Sequence, residues 1–368
     1  MKVLELSVHF PPNVGGVETH LWDLVTYLKK NWQVVILCYQ PLSAKISWKV
    51  FEKSENLKIF RIPWISGLFY KFIPYPKLEF LYLLPGLFIF TPVILFSENP
   101  NIIHAHGLVA GFVGVLWGKI FGKKVIISTH SLYSFPKSGL YLSFAKFIFG
   151  EADSILCLSN KSCQEILSLG INKTKIKQFT YWIDLNKFKK VNNAKSRVKE
   201  KFSVLFVGRL VSEKGIEVLL ESTKKWNKNI GLIFAGTGPL EKLIKKEAAI
   251  NSRIHFLGRI NQEDLASLYS SVDLTIVPST SEEGFGRVIM ESLACGTPVV
   301  ASSKGSIPEV MDESVGLLIN ISPQNIKNSV EGFYKNPTKL DSLSKNTRKF
   351  AEGRYSDKNA ETIIQTLR

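Results

Sequence analysis

The sequence predicts two doubly wound α/β domains in tandem, and three observations carry that fold class. Short apolar runs of strand length alternate with amphipathic helical stretches almost from end to end. The strand runs are apolar on both faces, as strands covered by helices on either side should be. A chain of 368 residues, 45% hydrophobic and 21% charged, is too long for one core and too apolar for general disorder.

In the first half the strand runs are Val3–Val8, Val34–Tyr39, Leu57–Ile62, Asn101–His106, Val125–Thr129 and Ser154–Leu158. Helical patterns begin between them near Gly16, Lys77, Val109, Leu140 and Lys161. A charged, non-periodic stretch follows Trp182. The second series of strands is Val204–Val207, Gly231–Ala235, Ile254–Leu257, Leu274–Val277, Val299–Ala301 and Gly316–Ile319. The expected division is therefore a first domain over 1–182, a linker over 183–201 and a second domain over 202–352. The segment 353–368 is expected to hold a last helix able to pack back on the first domain. Ligands of such sheets bind outside the carboxyl ends of the strands, so the expected site is a cleft between the two domains.

Charge points to anionic partners: 47 Lys+Arg against 31 Asp+Glu leave +16. The basic residues are dispersed along the chain, which fits a lipid surface or a phosphate-bearing ligand better than a nucleic-acid arm. Cys38, Cys157, Cys163 and Cys295 have no metal-finger spacing and sit in apolar surroundings, so they are expected as buried thiols in a reducing compartment. The N-terminal apolar run is too short for a signal peptide, and the expected location is cytoplasmic, at the cytoplasmic face of a membrane. Residues 59–96 are rich in aromatic and aliphatic side chains. Phe80–Phe96 has the length of a membrane span, but Pro85, Gly86 and Pro92 interrupt it. Two readings remain open: a buried helix with its preceding loop, or a surface dipping into the lipid interface. The second would use Trp64, Phe69, Tyr70, Phe72 and Tyr75 as anchors, with Lys71 and Lys77 at headgroups.

The chemistry-bearing residues cluster in loops after strands. At 278–302, PSTSEEGFGRVIMESLACGTPVVAS, a strand ends, a loop carries Glu282 and Glu283, and GFG opens a helix capped by Gly296. Backbone N–H groups of Gly284, Phe285 and Gly286 at a helix start favour a phosphate or a hydroxyl-rich sugar. Glu283 can accept from sugar hydroxyls, and Glu291, within the helix, from a ribose diol. Either glutamate alone would read as a solvated surface residue; together with GFG and CGTPVV they suit a sugar nucleotide. In FVGRLVSEKG, Arg209 at a strand end and Lys214 at the next helix start can converge on one diphosphate, where either alone would be a surface charge.

In these residues the chain resembles the retaining, two-Rossmann-domain (GT-B) glycosyltransferases of family 4, also called group 1, with an E-x7-E motif from Glu283 to Glu291. The resemblance implies a nucleotide-sugar donor. It gives Glu283, Phe285 and Gly286 to the donor sugar, Glu291 to the ribose, and Arg209 and Lys214 to the diphosphate. Gly15, Gly16 and Glu18 match a GGxE-like loop of the family, with the glycines toward the diphosphate and Glu18 on the acceptor side. Gly236 and Gly238 form a similar loop where many relatives carry an acidic residue in place of Thr237. Arg259 and Ile260 are implied at the base, and His130, just after a strand, near the transferred carbon. A histidine in that place otherwise satisfies local hydrogen bonds. His104 and His106 share one strand face; without a third ligand of suitable spacing they read as a packed strand end, with His106 lining the acceptor side. No resident cofactor or metal is expected, since the two cations supply the charge.

The function expected is transfer of a hexose, with retention, to a lipid-linked or other membrane-associated glycan, by a front-face route in which the donor phosphate takes the acceptor proton. Three rivals stand beside it: a nucleotide-sugar epimerase of the same architecture, a basic nucleic-acid-binding protein, and a dinucleotide-dependent oxidoreductase. The last lacks a dinucleotide fingerprint in either half.

Overall fold

The computed structural model describes residues 1–13, 15–42, 47–65, 75–194 and 198–368, without the side chains of Pro76 and Lys77. Phe69, Tyr70, Lys71 and Phe72, and the side chain of Lys77, lie outside the described residues. The chain divides into two compact units, Met1–Tyr181 with Asn359–Arg368, and Trp182–Lys358.

The first unit runs β1 (Lys2–Ser7), α1 (Gly16–Leu28), β2 (Gln33–Tyr39), β3 (Phe51–Ser54), β4 (Leu57–Ile62), α2 (Pro76–Glu98), β5 (Ile102–His106), α3 (Gly107–Ile120), β6 (Lys124–Thr129), α4 (Leu140–Glu151), β7 (Ser154–Cys157), α5 (Asn160–Ser168) and β8 (Ile176–Gln178). Its sheet has the order β3-β4-β2-β1-β5-β6-β7-β8, parallel except for the β3–β4 hairpin. The central strands are buried on both faces, which is why they read as unbroken apolar runs. Neither β3 nor β8 was expected; β3 is exposed at all four positions and β8 is a three-residue edge, so neither carries an apolar signal.

The helix α2 covers this sheet. Leu83, Leu87, Ile94 and Leu95 are buried in the core of the unit, and Leu87 N–H donates to the Tyr39 hydroxyl at 3.1 Å. By length and composition Leu78–Glu98 could cross a membrane, yet one side of it is core. The other side stays apolar and outward: Leu78, Leu81, Ile89, Phe90, Val93 and Phe96 are all exposed. A final helix, Ala360–Leu367, belongs to this unit, where Lys124 Nζ donates to the carbonyl of Thr366 at 2.9 Å.

The second unit runs β9 (Phe202–Val207), α6 (Ile216–Thr223), β10 (Ile230–Ala235), α7 (Glu241–Ile250), β11 (Ile254–Gly258), α8 (Leu265–Ser270), β12 (Leu274–Val277), α9 (Arg287–Ala294), β13 (Val299–Ser302), α10 (Ile307–Val310), β14 (Gly316–Ile319), α11 (Pro323–Lys335) and α12 (Pro337–Arg354). Its all-parallel sheet has the order β11-β10-β9-β12-β13-β14. The described residues of the 183–201 stretch belong to this unit. Phe188 is buried there, and Arg348 of α12 donates to the carbonyls of Phe188 (2.7 Å) and Leu185 (3.1 Å). Its charge pattern hid this, because the guanidinium binds backbone that composition does not reveal.

Candidate functional site

In the second unit β9 lies between β10 and β12, so the strand order reverses there and the crevice at the carboxyl ends of β9 and β12 is the place for a ligand. The loop after β9 carries Arg209 and Lys214; the loop after β12 carries Glu283, Phe285 and Gly286. They are locked together through backbone. Thr280 N–H donates to the carbonyl of Glu213 at 3.0 Å, and a Cβ on Gly215, where φ is +72°, would strike the Pro278 carbonyl. Glu283 is held from behind as well: Ser306 N–H donates to its carbonyl at 3.0 Å.

Glu283 is 9% exposed, and its Oε1 accepts from Lys214 Nζ at 2.6 Å and from the Ser279 hydroxyl. Sequence reasoning gave these two residues separate parts of one donor to hold, the sugar and the diphosphate; the fold pairs them, so anion and cation form one fixed dipole at the crevice. Arg209 is exposed on the same loop after β9. Gly286, at φ +72°, caps α9 and starts its N-terminus at this point, adding the positive end of the helix. One turn into α9, Glu291 is buried, with Oε1 taking Arg287 Nε and Oε2 taking the Tyr269 hydroxyl, both at 3.0 Å. Burial and the Glu291 charge keep the Tyr269 phenol far above its ordinary range, so it stays a donor.

Gly236 and Gly238 have a reason to be glycine that needs no ligand. At φ +146° and +158°, a Cβ on either would collide with the backbone of Gly208 or Leu210, so they seat the β9 loop. Arg259 and Ile260 follow β11, which lies two strands from β9 in the same sheet.

In the first unit the strand order reverses at β1 and β5. Gly15 precedes α1 and its carbonyl accepts from Thr19 N–H and Oγ1; the Glu18 carboxylate folds back onto Gly15, where a Cβ would collide with it. Gly16 is the exposed first residue of α1. His106 ends β5, His130 follows β6, and the two are joined directly, His106 Nδ1 to His130 Nε2 at 2.9 Å. His106 Nε2 reaches Glu5 Oε2 at 2.6 Å, His104 Nδ1 lies 2.9 Å from the same oxygen, and His130 Nδ1 meets the Tyr181 hydroxyl at 2.7 Å. His20 stacks on Tyr181 with ring centroids 4.1 Å apart.

The third group near His104 and His106 that spacing did not supply is thus Glu5. Parallel pairing sets it in register with His104, so that strand neighbours 99 residues apart share a face. Among the described residues Glu5, His104 and His106 also form a cluster with metal-ligand spacing. Burial would raise the Glu5 carboxyl, but His104 and His106 beside it outweigh that and bring it down to about 2. Burial, with His104 nearby, pushes His106 down to about 4, and burial lowers His130 well below its ordinary value. Both rings are therefore neutral near pH 7. Glu5, Tyr181 and His20 were not legible as site residues; only the register of β1 with β5 marks Glu5.

Two family models match along this chain, Glycosyltransferase Family 4 over residues 14–187 and Glycosyl transferases group 1 over residues 187–350. The chain belongs to glycosyltransferase family 4, group 1. It is accordingly a glycosyltransferase of a retaining family, with the GT-B fold and a nucleotide-sugar donor. A phosphatidylinositol N-acetylglucosaminyltransferase component from Arabidopsis thaliana is 24% identical, over 90% of this chain and 74% of its own length. A sucrose-phosphate synthase from Thermosynechococcus elongatus has a similar structure, with a TM-score of 0.83 at 23% identity, covering 99% of this chain and 97% of that one. Anabaena HepE in complex with UDP superimposes with a TM-score of 0.79 at 20% identity, covering 100% and 99%.

Proposed function

We propose that this family 4 glycosyltransferase moves a hexose from a UDP- or GDP-sugar to a lipid-linked or other membrane-associated glycan, without a resident metal, at the cytoplasmic face of an anionic membrane. The observation that carries the donor half is the Lys214–Glu283 pair at the β9/β12 crevice. A diphosphate entering there meets Arg209, Lys214 and the start of α9, which together stabilise the charge that gathers on the leaving group. Glu283 then accepts hydroxyls of the sugar, and Glu291 accepts those of the ribose. His130 belongs to the sugar side of the same reading. Retention follows a front-face course in which the donor phosphate takes the acceptor proton and the protein positions both substrates. The name of the HepE complex, with UDP bound, supports a nucleoside diphosphate product.

Two observations support the membrane half. The α2 face from Leu78 to Phe96 presents apolar side chains outward on a chain of net charge +16. The name of the Arabidopsis relative specifies a phosphatidylinositol acceptor. Four buried free thiols fit a reducing compartment.

Donor binding and slow hydrolysis across a panel of UDP- and GDP-sugars, with EDTA present, test the first half. One preferred donor and EDTA-resistant turnover are expected; dependence on added metal ion would overturn the metal-free reading. Flotation with vesicles tests the second. Binding to phosphatidylglycerol-containing vesicles is expected to exceed binding to purely zwitterionic ones, and to drop about tenfold in the double variant Phe90→Ser, Phe96→Ser. Equal flotation of the variant would remove α2 from the contact.

A further inference from the structure

The chain of contacts in the first unit fixes where every proton lies. An ionised carboxylate only accepts, so His106 Nε2, 2.6 Å from Glu5, carries a proton. A neutral His106 then has a bare Nδ1, which accepts from His130 Nε2 at 2.9 Å. That leaves His130 Nδ1 bare, and it accepts the Tyr181 hydroxyl at 2.7 Å. His104 Nδ1 lies 2.9 Å from the same Glu5 oxygen, and its Nε2 is 2.7 Å from the Ser128 hydroxyl. The protons of His106, His130 and Tyr181 thus all point along one chain toward one buried anion. Glu5 and His104 are fully enclosed, whereas His130, at the carboxyl end of β6, keeps part of its surface open.

We propose that Glu5 is a positioning residue that acts through His106 to lock His130 in its Nε2–H tautomer, so that the nitrogen His130 offers a bound sugar is the acceptor Nδ1, exchanged from the Tyr181 hydroxyl. The part concerning the sugar rests on the donor reading above; the tautomer does not. His130 in this state is neither acid nor base toward the substrate. It accepts a hydrogen bond from a ligand hydroxyl, which keeps its proton, and Tyr181 is the internal competitor for that position. The groups that face His106 from the packed elements are Glu5 on β1, His104 on its own strand and His130 beyond β6, and none of them supplies a second anion.

With six histidines in the chain, nitrogen-15 labelling of the imidazoles resolves each ring by NMR. In the ligand-free enzyme, protonated Nε2 and bare Nδ1 are expected for both His106 and His130 at pH 7. An Nδ1–H tautomer at His130 overturns the proposal, and so does one equivalent of zinc by metal analysis with its signature on His104 and His106. Glu5→Gln should let His130 exchange between tautomers and lower kcat about tenfold with little change in donor KM, while Glu5→Asp restores part of it; an unchanged His130 spectrum in Glu5→Gln sinks the idea. Tyr181→Phe keeps the tautomer and removes the competitor, so donor KM should fall about fivefold, one hydrogen bond's worth. A higher KM in Tyr181→Phe, with the expected tautomer in place, would defeat the sugar contact alone and leave the lock standing. Should Glu5→Gln fail to fold, the wild-type spectrum and Tyr181→Phe still decide.

Discussion

Glu283→Ala should reduce turnover by a factor of about 10² to 10³ while leaving the unfolding transition of the second unit nearly unchanged. Two effects combine. The substitution removes an acceptor at the mouth of the β9/β12 crevice, and it releases Lys214, whose ammonium is now held 2.6 Å from Glu283 Oε1. Lys214 is 29% exposed, so the freed cation finds water and its release costs little stability. What it loses is direction, because a lysine on a four-carbon stem is a point charge whose aim depends on a partner. Lys214→Ala should fall by a similar factor, since the leaving diphosphate then meets Arg209 alone. The double variant should be far from additive: if the residues act as one device, Glu283→Ala combined with Lys214→Ala costs little more than either single change. Steady-state kinetics on the three variants, with circular dichroism as a control, decide it. Additive losses in kcat would mean two independent contacts, and near-normal turnover in both singles would remove the crevice from the reaction.

That site was readable because its signals are local. Glu283, Phe285, Gly286 and Glu291 lie within nine residues around one helix start, and Arg209 and Lys214 flank one loop, so spacing along the chain already reports their neighbourhood. Strand runs were readable for a similar reason: burial on both faces leaves an unbroken apolar signature in β1, β2, β5 and β6. What escaped is what depends on register or on backbone. Glu5 sits inside a strand that reads as apolar, and only pairing of β1 with β5 reveals it as the partner of His104 and His106. The Lys214–Glu283 pair joins positions 69 residues apart. Gly236 and Gly238 look like a ligand loop in sequence, and only the fold shows that a Cβ on either would also collide with Gly208 or Leu210 of the β9 loop. The same limit applied at Leu185 and Phe188, where a run of lysines and asparagines hides backbone fastened by Arg348.

The buried histidines should make the first unit selectively acid-labile. His106 binds its proton at about 4 in the folded unit against 6.5 for an exposed imidazole. Between those values the unfolded chain holds a proton that the native state does not, so stability rises with pH and is lost as pH falls. The interval corresponds to about 3 kcal/mol, spent between roughly pH 6.5 and 4. His130, also lowered, acts with the same sign. Glu5, brought from 4.5 to about 2, contributes stability above 4.5 that disappears only as pH falls further toward 2. All three groups therefore cost the folded unit stability as pH falls, and none opposes another. Two separate cores make a single unfolding free energy ill-defined, so the measurement must be local. Hydrogen exchange read peptide by peptide at pH 7, 6 and 5, corrected for the intrinsic rate, should show opening free energies falling across β1, β5 and β6 while β9, β10 and β12 hold. A flat profile in the first unit between pH 7 and 5 would mean that these rings are not buried neutral. In Glu5→Gln the fall should begin from a lower plateau, because the carboxylate that anchors the His106 proton is gone. Its steepness between pH 6.5 and 5 should persist, because both imidazoles are still enclosed.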